Sequence, residues 1–311
     1  MSKPQIDHVF ITRFNVPTPG REGLIRAQEG WLKDRIALFE RFCAPSMGAQ
    51  RVQSFHWLIY FDPDSPQWFM DWVQLARQAY KFTAVFRTSV HRDDLVADLR
   101  RITDSRGEVL LTTNLDNDDG LSVDFAERLQ ASIGSATRTA VYLTRGVILR
   151  DSRTYLRSDG RNAFCSVAEG WESPVTAWAD WHNRLELSMP VKELAGDPAW
   201  LQLVHDRNVS NRVHGLLCSP SNYADLFPTA LASLPDPALP VVAIENGLLV
   251  PARAAKSAVR HATKSLMMQV LGKSGFDAAK NQISAVSAKT RKFISRSKNL
   301  PWSQENMESE E

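Results

Sequence analysis

A mostly parallel α/β sheet of the Rossmann type is the fold class that this 311-residue sequence predicts, and three observations carry it. Short apolar runs alternate with longer stretches whose apolar residues recur every three or four positions, the signature of strands buried between helices. The central run, Val109 to Leu111, has no polar alternation and is followed within a few residues by Asp116, Asn117, Asp118 and Asp119, as expected of a parallel strand that delivers chemistry at its C-terminal end. No Gly-x-Gly-x-x-Gly or Walker A pattern follows any strand, so phosphate charge, if bound, must be met by something other than a glycine loop.

In chain order, DHVFITRFNV (7–16) opens as a strand that stops at Arg13 and Asn15. A helix is expected next, with Leu32, Ile36, Phe39 and Cys43 on one face and Pro45 as its stop. Phe55 to Phe61 is a second strand ending at Asp62, and Trp68, Trp72, Ala76 and Tyr80 form a helical stripe. FTAVFR (82–87) is a third strand, and Leu95, Leu99 and Ile102 mark the helix leading to the central strand. Beyond it, Gly120 is expected to turn the chain and Ser122 to cap a helix carrying Phe125, Leu129 and Ile133. The second half reads as a partly antiparallel extension: a strand over 140–150, a turn at 151–153, a strand over 154–157, and further strands at Phe164 to Ala168 and Val175 to Trp181.

Three cysteines, Cys43, Cys165 and Cys218, lie far apart without paired spacing, which suits reduced thiols in the cytoplasm. The N-terminus lacks a signal-peptide run, and no apolar stretch is long enough to cross a bilayer. Charge is uneven: residues 252–300 hold 11 Lys or Arg against Asp277 alone, whereas residues 1–251 sum to −4. A domain over 1–251 followed by a basic amphipathic helical tail over 252–311 is therefore expected, with the tail suited to an anionic inner-membrane surface. Folding back on the domain is the alternative for the tail, and nucleic-acid binding has no accompanying recognition motif.

Two carboxylates at a spacing of two, Asp116 and Asp118, can offer hard oxygen ligands to a divalent cation. Asp-rich turns also occur as solvated loops. Here three carboxylates in four residues carry like-charge repulsion that a cation or hydrogen-bond donors must offset. Asp62 at a strand exit is read either as a nucleotide contact or as a plain turn before Pro63, and Arg13 and Asn15 reach the same edge from the first strand.

The motifs TRFN (12–15), YFD (60–62), LDNDDGL (115–121) and HDRNVSNR (205–212) resemble those of the rhamnosyltransferase family of bacterial glycosyltransferases, over roughly residues 7–250. Asn114 stands where that family more often has an arginine. The resemblance implies a GT-A-like fold, a nucleotide-sugar donor, a saccharide or glycolipid acceptor, and Mn²⁺ or Mg²⁺ on Asp116 and Asp118, with His205 as a third ligand, His182 and His214 its rivals, and Asp116 also facing the nucleotide. Transfer with inversion needs a carboxylate base; Glu169 is favoured for its strand-end position, with Glu172 and Asp180 near it. Trp171, Trp178 and Trp181 are read as acceptor-stacking or packing residues. A nucleotidyltransferase on the same sheet and a non-catalytic membrane-docked binding protein are the alternatives. Asp118→Asn is expected to remove metal-dependent nucleotide affinity without loss of stability, on the premise that the loop is exposed.

Overall fold

The computed structural model describes residues 3–17, 30–205 and 213–252. The elements up to Asn246, both sheets among them, form one unit, and Gly247 begins a second. The basic stretch 253–300 and most of the HDRNVSNR motif lie outside the described residues. Among the described residues no helix is long and apolar enough to cross a membrane.

Strands β1 (Ile6–Arg13), β2 (His56–Phe61), β3 (Thr83–Phe86) and β4 (Val109–Asn114) are all parallel, with the helices α3 (Gln67–Ala79) and α4 (Arg92–Thr103) between the later ones. They lie in a seven-stranded sheet with β6 (Thr139–Leu143), β9 (Ser166–Glu169) and β10 (Val191–Leu194), in the order β10-β6-β9-β4-β1-β2-β3, where β9 runs antiparallel to both of its neighbours. Both faces are covered. Phe10, Ile59 and Leu111 point into one core and Val9, Ile11, Leu58 and Leu110 into the other, which is why these strands read as unbroken apolar runs. A second sheet, β12-β8-β7-β11-β5, joins β5 (Gly120–Leu121), β7 (Arg145–Arg150), β8 (Arg153–Ser158), β11 (Trp200–Leu203) and β12 (Leu216–Cys218). The α/β class and the partly antiparallel second half agree with the sequence.

Several boundaries differ, each for a physical reason. Pro45 does not stop its helix: α1 (Trp31–Leu38) runs through a π-helical turn, Phe39–Cys43, into α2 (Ala44–Gly48). Pro45 falls in the first turn of α2, where its missing N–H is least costly. The buried face of α3 is Phe69, Val73 and Ala76 rather than a stripe begun by Trp68, which is 44% exposed. Residues 140–150 are two strands in two sheets, divided at Thr144. There the Trp200 indole lies across Gly146, at a separation where any Cβ would overlap the ring, and stacks on Phe164 at 5.2 Å. The turn at 151–153 is a hairpin, with Asp151 and Ser152 both at positive φ.

Gly120 is not a turn residue, because it pairs in β5 with β11. Helix α5 (Phe125–Ala131) starts after Asp124, whose carboxylate accepts the Ser122 hydroxyl, so Ser122 does not cap it. Val175 to Trp181 is not a strand. Its backbone N–H groups are taken up by side chains, Val175 and Thr176 by Glu169 and Ala177 by Thr112, and Thr176 sits at φ 71°.

Candidate active site

Register places the candidate residues. Ile11 of β1 pairs with Leu58 of β2 and with Asn114 of β4, so Arg13 at the end of β1, Asp62 and Asp116, two to four residues further on, lie at one edge of the sheet. Asp116 is exposed, with its Oδ1 3.4 Å from the Asn114 amide nitrogen. That amide nitrogen also donates to the Ala163 carbonyl at 2.9 Å, and the Asn114 oxygen accepts the Trp178 indole N–H at 2.7 Å. The Arg13 guanidinium carbon lies 4.3 Å from the centre of the Trp178 ring, within cation–π range. A chain of contacts thus runs from Asp116 through Asn114 and Trp178 to Arg13.

The other acidic residues are answered individually. Asn117 is buried and donates to the Phe14 carbonyl at 2.7 Å, tying the loop to the end of β1. Asp118 is buried; its Oδ2 lies 2.5 Å from Arg35 of α1 and 3.0 Å from His205 Nε2. Burial alone would raise the Asp118 carboxyl, but the His205 hydrogen bond and the Arg35 charge outweigh it and hold the group below the usual carboxylate value. Asp119 accepts the Leu203 N–H at 2.8 Å. Burial first, then the charges of Asp118 and Asp116, push its carboxyl well above the usual value. The Asp119–Leu203 bond joins the loop to the end of β11, and His205 follows two residues later. That link explains how a side chain 87 residues away reaches Asp118.

The crowding legible in the sequence is therefore relieved by the protein's own donors. Among the described residues no three His, Cys, Asp or Glu side chains are grouped to hold a metal ion. Asp118 and His205 are in contact, and Asp116 is the neighbouring exposed carboxylate. Two carboxylates and an imidazole are a donor set that Mn²⁺ or Mg²⁺ accepts, and Arg35 now occupies the Asp118 oxygen.

Three residues singled out in the sequence are engaged by structural partners. Glu169 pairs in register with Leu110, near the start of β4, which puts it about 13 Å along the strand from Asn114. It is 1% exposed, ion-paired to Arg138 at 2.8 Å and bonded to two backbone N–H groups, so it holds the 173–177 loop and is remote from the site. Trp171 belongs to that same far edge, its indole donating to Asp7. Asn15 is at the right edge but is buried and committed: its oxygen accepts the Asp62 N–H at 3.0 Å and its nitrogen donates to the Ser65 hydroxyl at 2.8 Å. It shapes the 62–65 turn and is no free ligand.

Asp62 makes the turn that one reading anticipated, through Oδ1 to the Asp64 N–H at 3.0 Å. It is only half-buried, and its Oδ2 has no hydrogen bond among the described residues. Sequence reasoning missed Arg35. Nothing local marks it, since its partner Asn117 lies 82 residues on.

The sequence model of a family described as "Putative rhamnosyl transferase" matches residues 7–216. No curated protein matches the chain. Among solved structures it is similar to S. aureus TarS in complex with UDP-GlcNAc, at 10% identity and a TM-score of 0.42, covering 70% of this chain and 64% of that one. It thus spans just under two thirds of that TarS chain. A mannosyltransferase from Pyrobaculum calidifontis in complex with GDP-Man and Mn²⁺ is similar at 14% identity and a TM-score of 0.39, with 90% of this chain and 87% of that one covered. The mixed α/β sheet expected from the sequence is the architecture observed.

Proposed function

The chain belongs to the rhamnosyl transferase family, and from that premise we propose that it moves a sugar, rhamnose in the family's pattern, from a nucleoside-diphosphate donor to a surface-polysaccharide or glycolipid acceptor. The observation that carries this reading is the shared sheet edge, where Arg13, Asp62 and Asp116 emerge together and Asp118 meets His205. Asp62 Oδ2 accepts a hydrogen bond from a ribose hydroxyl or the base. Arg13, close over the Trp178 ring, turns a positive charge toward the departing diphosphate. Asp116, Asp118 and His205 would hold a divalent cation, whose chemistry when bound is Lewis-acid stabilisation of the leaving diphosphate.

Inversion needs a carboxylate that takes the acceptor hydroxyl proton as that oxygen attacks the anomeric carbon and the diphosphate leaves. With Glu169 on the far edge, we assign this to Asp180, two residues beyond the Trp178 that contacts Asn114. Asp180 is about one third exposed. Asp180→Asn should lower kcat by a factor of a hundred or more and leave donor affinity unchanged; parallel loss of donor affinity would remove the assignment.

The basic tail would hold the enzyme at an anionic membrane. Co-sedimentation with anionic vesicles should fall as salt rises, and should vanish when residues 252–311 are removed. Calorimetry against dTDP, UDP and GDP, with and without Mn²⁺, tests the transferase reading itself. Binding of one of them, strengthened by Mn²⁺, is expected; no binding under either condition sinks it.

A further inference from the structure

Arg35 stands where a cation would stand. One nitrogen of its guanidinium lies 2.5 Å from Asp118 Oδ2 and 3.2 Å from Asn117 Oδ1. The group also packs 5.2 Å from the Trp31 ring. Its side chain is 13% exposed and that of Asp118 is 10% exposed, so the pair is largely shielded from solvent and is screened only weakly. The oxygen that Arg35 holds is the one that faces His205 Nε2 at 3.0 Å. A divalent ion shared by Asp118 and His205 must use that oxygen or bring two positive charges within a few ångströms of the guanidinium. Either way, the ion and Arg35 oppose each other.

We propose that Arg35 is a positioning residue that competes with the divalent cation for Asp118, so that the free protein binds the metal weakly. This rests on the metal site put forward under the proposed function. Arg35 keeps the loop carboxylate ordered in the meantime: it bridges Asn117 and Asp118, and Asn117 is anchored to the Phe14 carbonyl. A negatively charged diphosphate arriving at the same edge offers both cations a counter-charge, and metal and donor should then bind with positive coupling.

Titration of the nucleotide-free full chain with Mn²⁺, followed by the loss of the free-ion EPR signal, reads this directly. Arg35→Gln should bind Mn²⁺ on the order of tenfold or more tightly than the parent chain, the scale of one charge-assisted hydrogen bond released from a shielded site. Arg35→Lys keeps the charge and should stay within about threefold of the parent on the same reasoning. Equal or weaker Mn²⁺ binding by a folded Arg35→Gln protein overturns the competition and leaves the metal site standing. Absence of Mn²⁺ binding by both parent and Arg35→Gln overturns the two together.

A second measurement is made on the unaltered chain, with Arg35→Lys used to assign the arginine side-chain NMR signal. Saturating Mg²⁺ should shift the Arg35 Nε–H resonance as the guanidinium leaves Asp118. Saturation by Mg²⁺ with that resonance unmoved overturns the competition.

Discussion

Asp118→Asn tests the site most severely, because sequence and structure disagree about it. Read as an exposed turn, the loop should tolerate the change. In the structure the Asp118 carboxylate is buried and pairs with Arg35 at 2.5 Å and His205 at 3.0 Å. Losing one partner of a buried pair costs about 3–5 kcal/mol when the other charge is left uncompensated. Asparagine keeps one acceptor oxygen toward Arg35, and the change also relieves Asp119 of a neighbouring charge, so a net loss of about 2–3 kcal/mol is the better figure.

For a unit of this size that corresponds to a fall in Tm of roughly 5–10 °C. Urea unfolding at pH 7 measures it, and a double-mutant cycle with Arg35→Gln isolates the pair, whose coupling should come to about 1–3 kcal/mol. A loss below about 0.5 kcal/mol, or additive single effects, would show that Asp118 faces solvent and that the pairing with Arg35 is not a property of the molecule.

Three further outcomes are expected at residues away from the site. Gly146→Ala places a methyl group about 2 Å from the Trp200 ring, so it should destabilise by about 3 kcal/mol; Trp200→Leu should restore part of that loss, and a neutral Gly146→Ala would mean that the indole lies elsewhere. His8 accepts from Gln130 at Nδ1 and faces Thr113 at 3.0 Å, and burial lowers its pKa to about 3. Because the unfolded chain binds this proton more readily, His8 lowers stability as pH falls from 6.5 toward 3, by about 2 kcal/mol at pH 5. In His8→Gln that share of the acid sensitivity should vanish, and identical urea midpoint shifts between pH 7 and pH 5 in both proteins would refute it. Glu169→Gln should cost about 2 kcal/mol of stability through its Arg138 and backbone partners while folded protein keeps its turnover; a hundredfold fall in kcat at unchanged stability would return Glu169 to catalysis.

What the sequence conveys about the fold divides along the range of the forces involved. Strands β1 to β4 are legible because burial on both faces forces unbroken apolar runs, and no long-range knowledge is needed to see them. The elements that misled are those settled by a partner elsewhere in the chain. Residues 140–150 look like one strand, and only the Trp200 indole lying across Gly146 from 54 positions further on requires the break at Thr144. Val175 to Trp181 has the apolar content of a strand, but Glu169 and Thr112 take its N–H groups before any neighbour can pair with them. Pro45 signals a helix end, and the π-helical turn before it lets the chain continue.

The site obeys the same division, and its electrostatics show why. Three carboxylates in four residues announce a cost, and a cost implies a partner without naming it. The partners turn out to be unalike: Arg35 and His205 for Asp118, and a backbone N–H with a raised pKa for Asp119. His205 was singled out through the family resemblance rather than by any local mark. Arg35 was not, because nothing within α1 distinguishes it from any other helical arginine. Once these pairings are made, two of the three acidic side chains are buried and answered within the protein, and only Asp116 stands exposed beside Asn114. On the proposed reading, an approaching cation would meet Asp116 first and would contend with Arg35 for the Asp118 oxygen that the arginine holds.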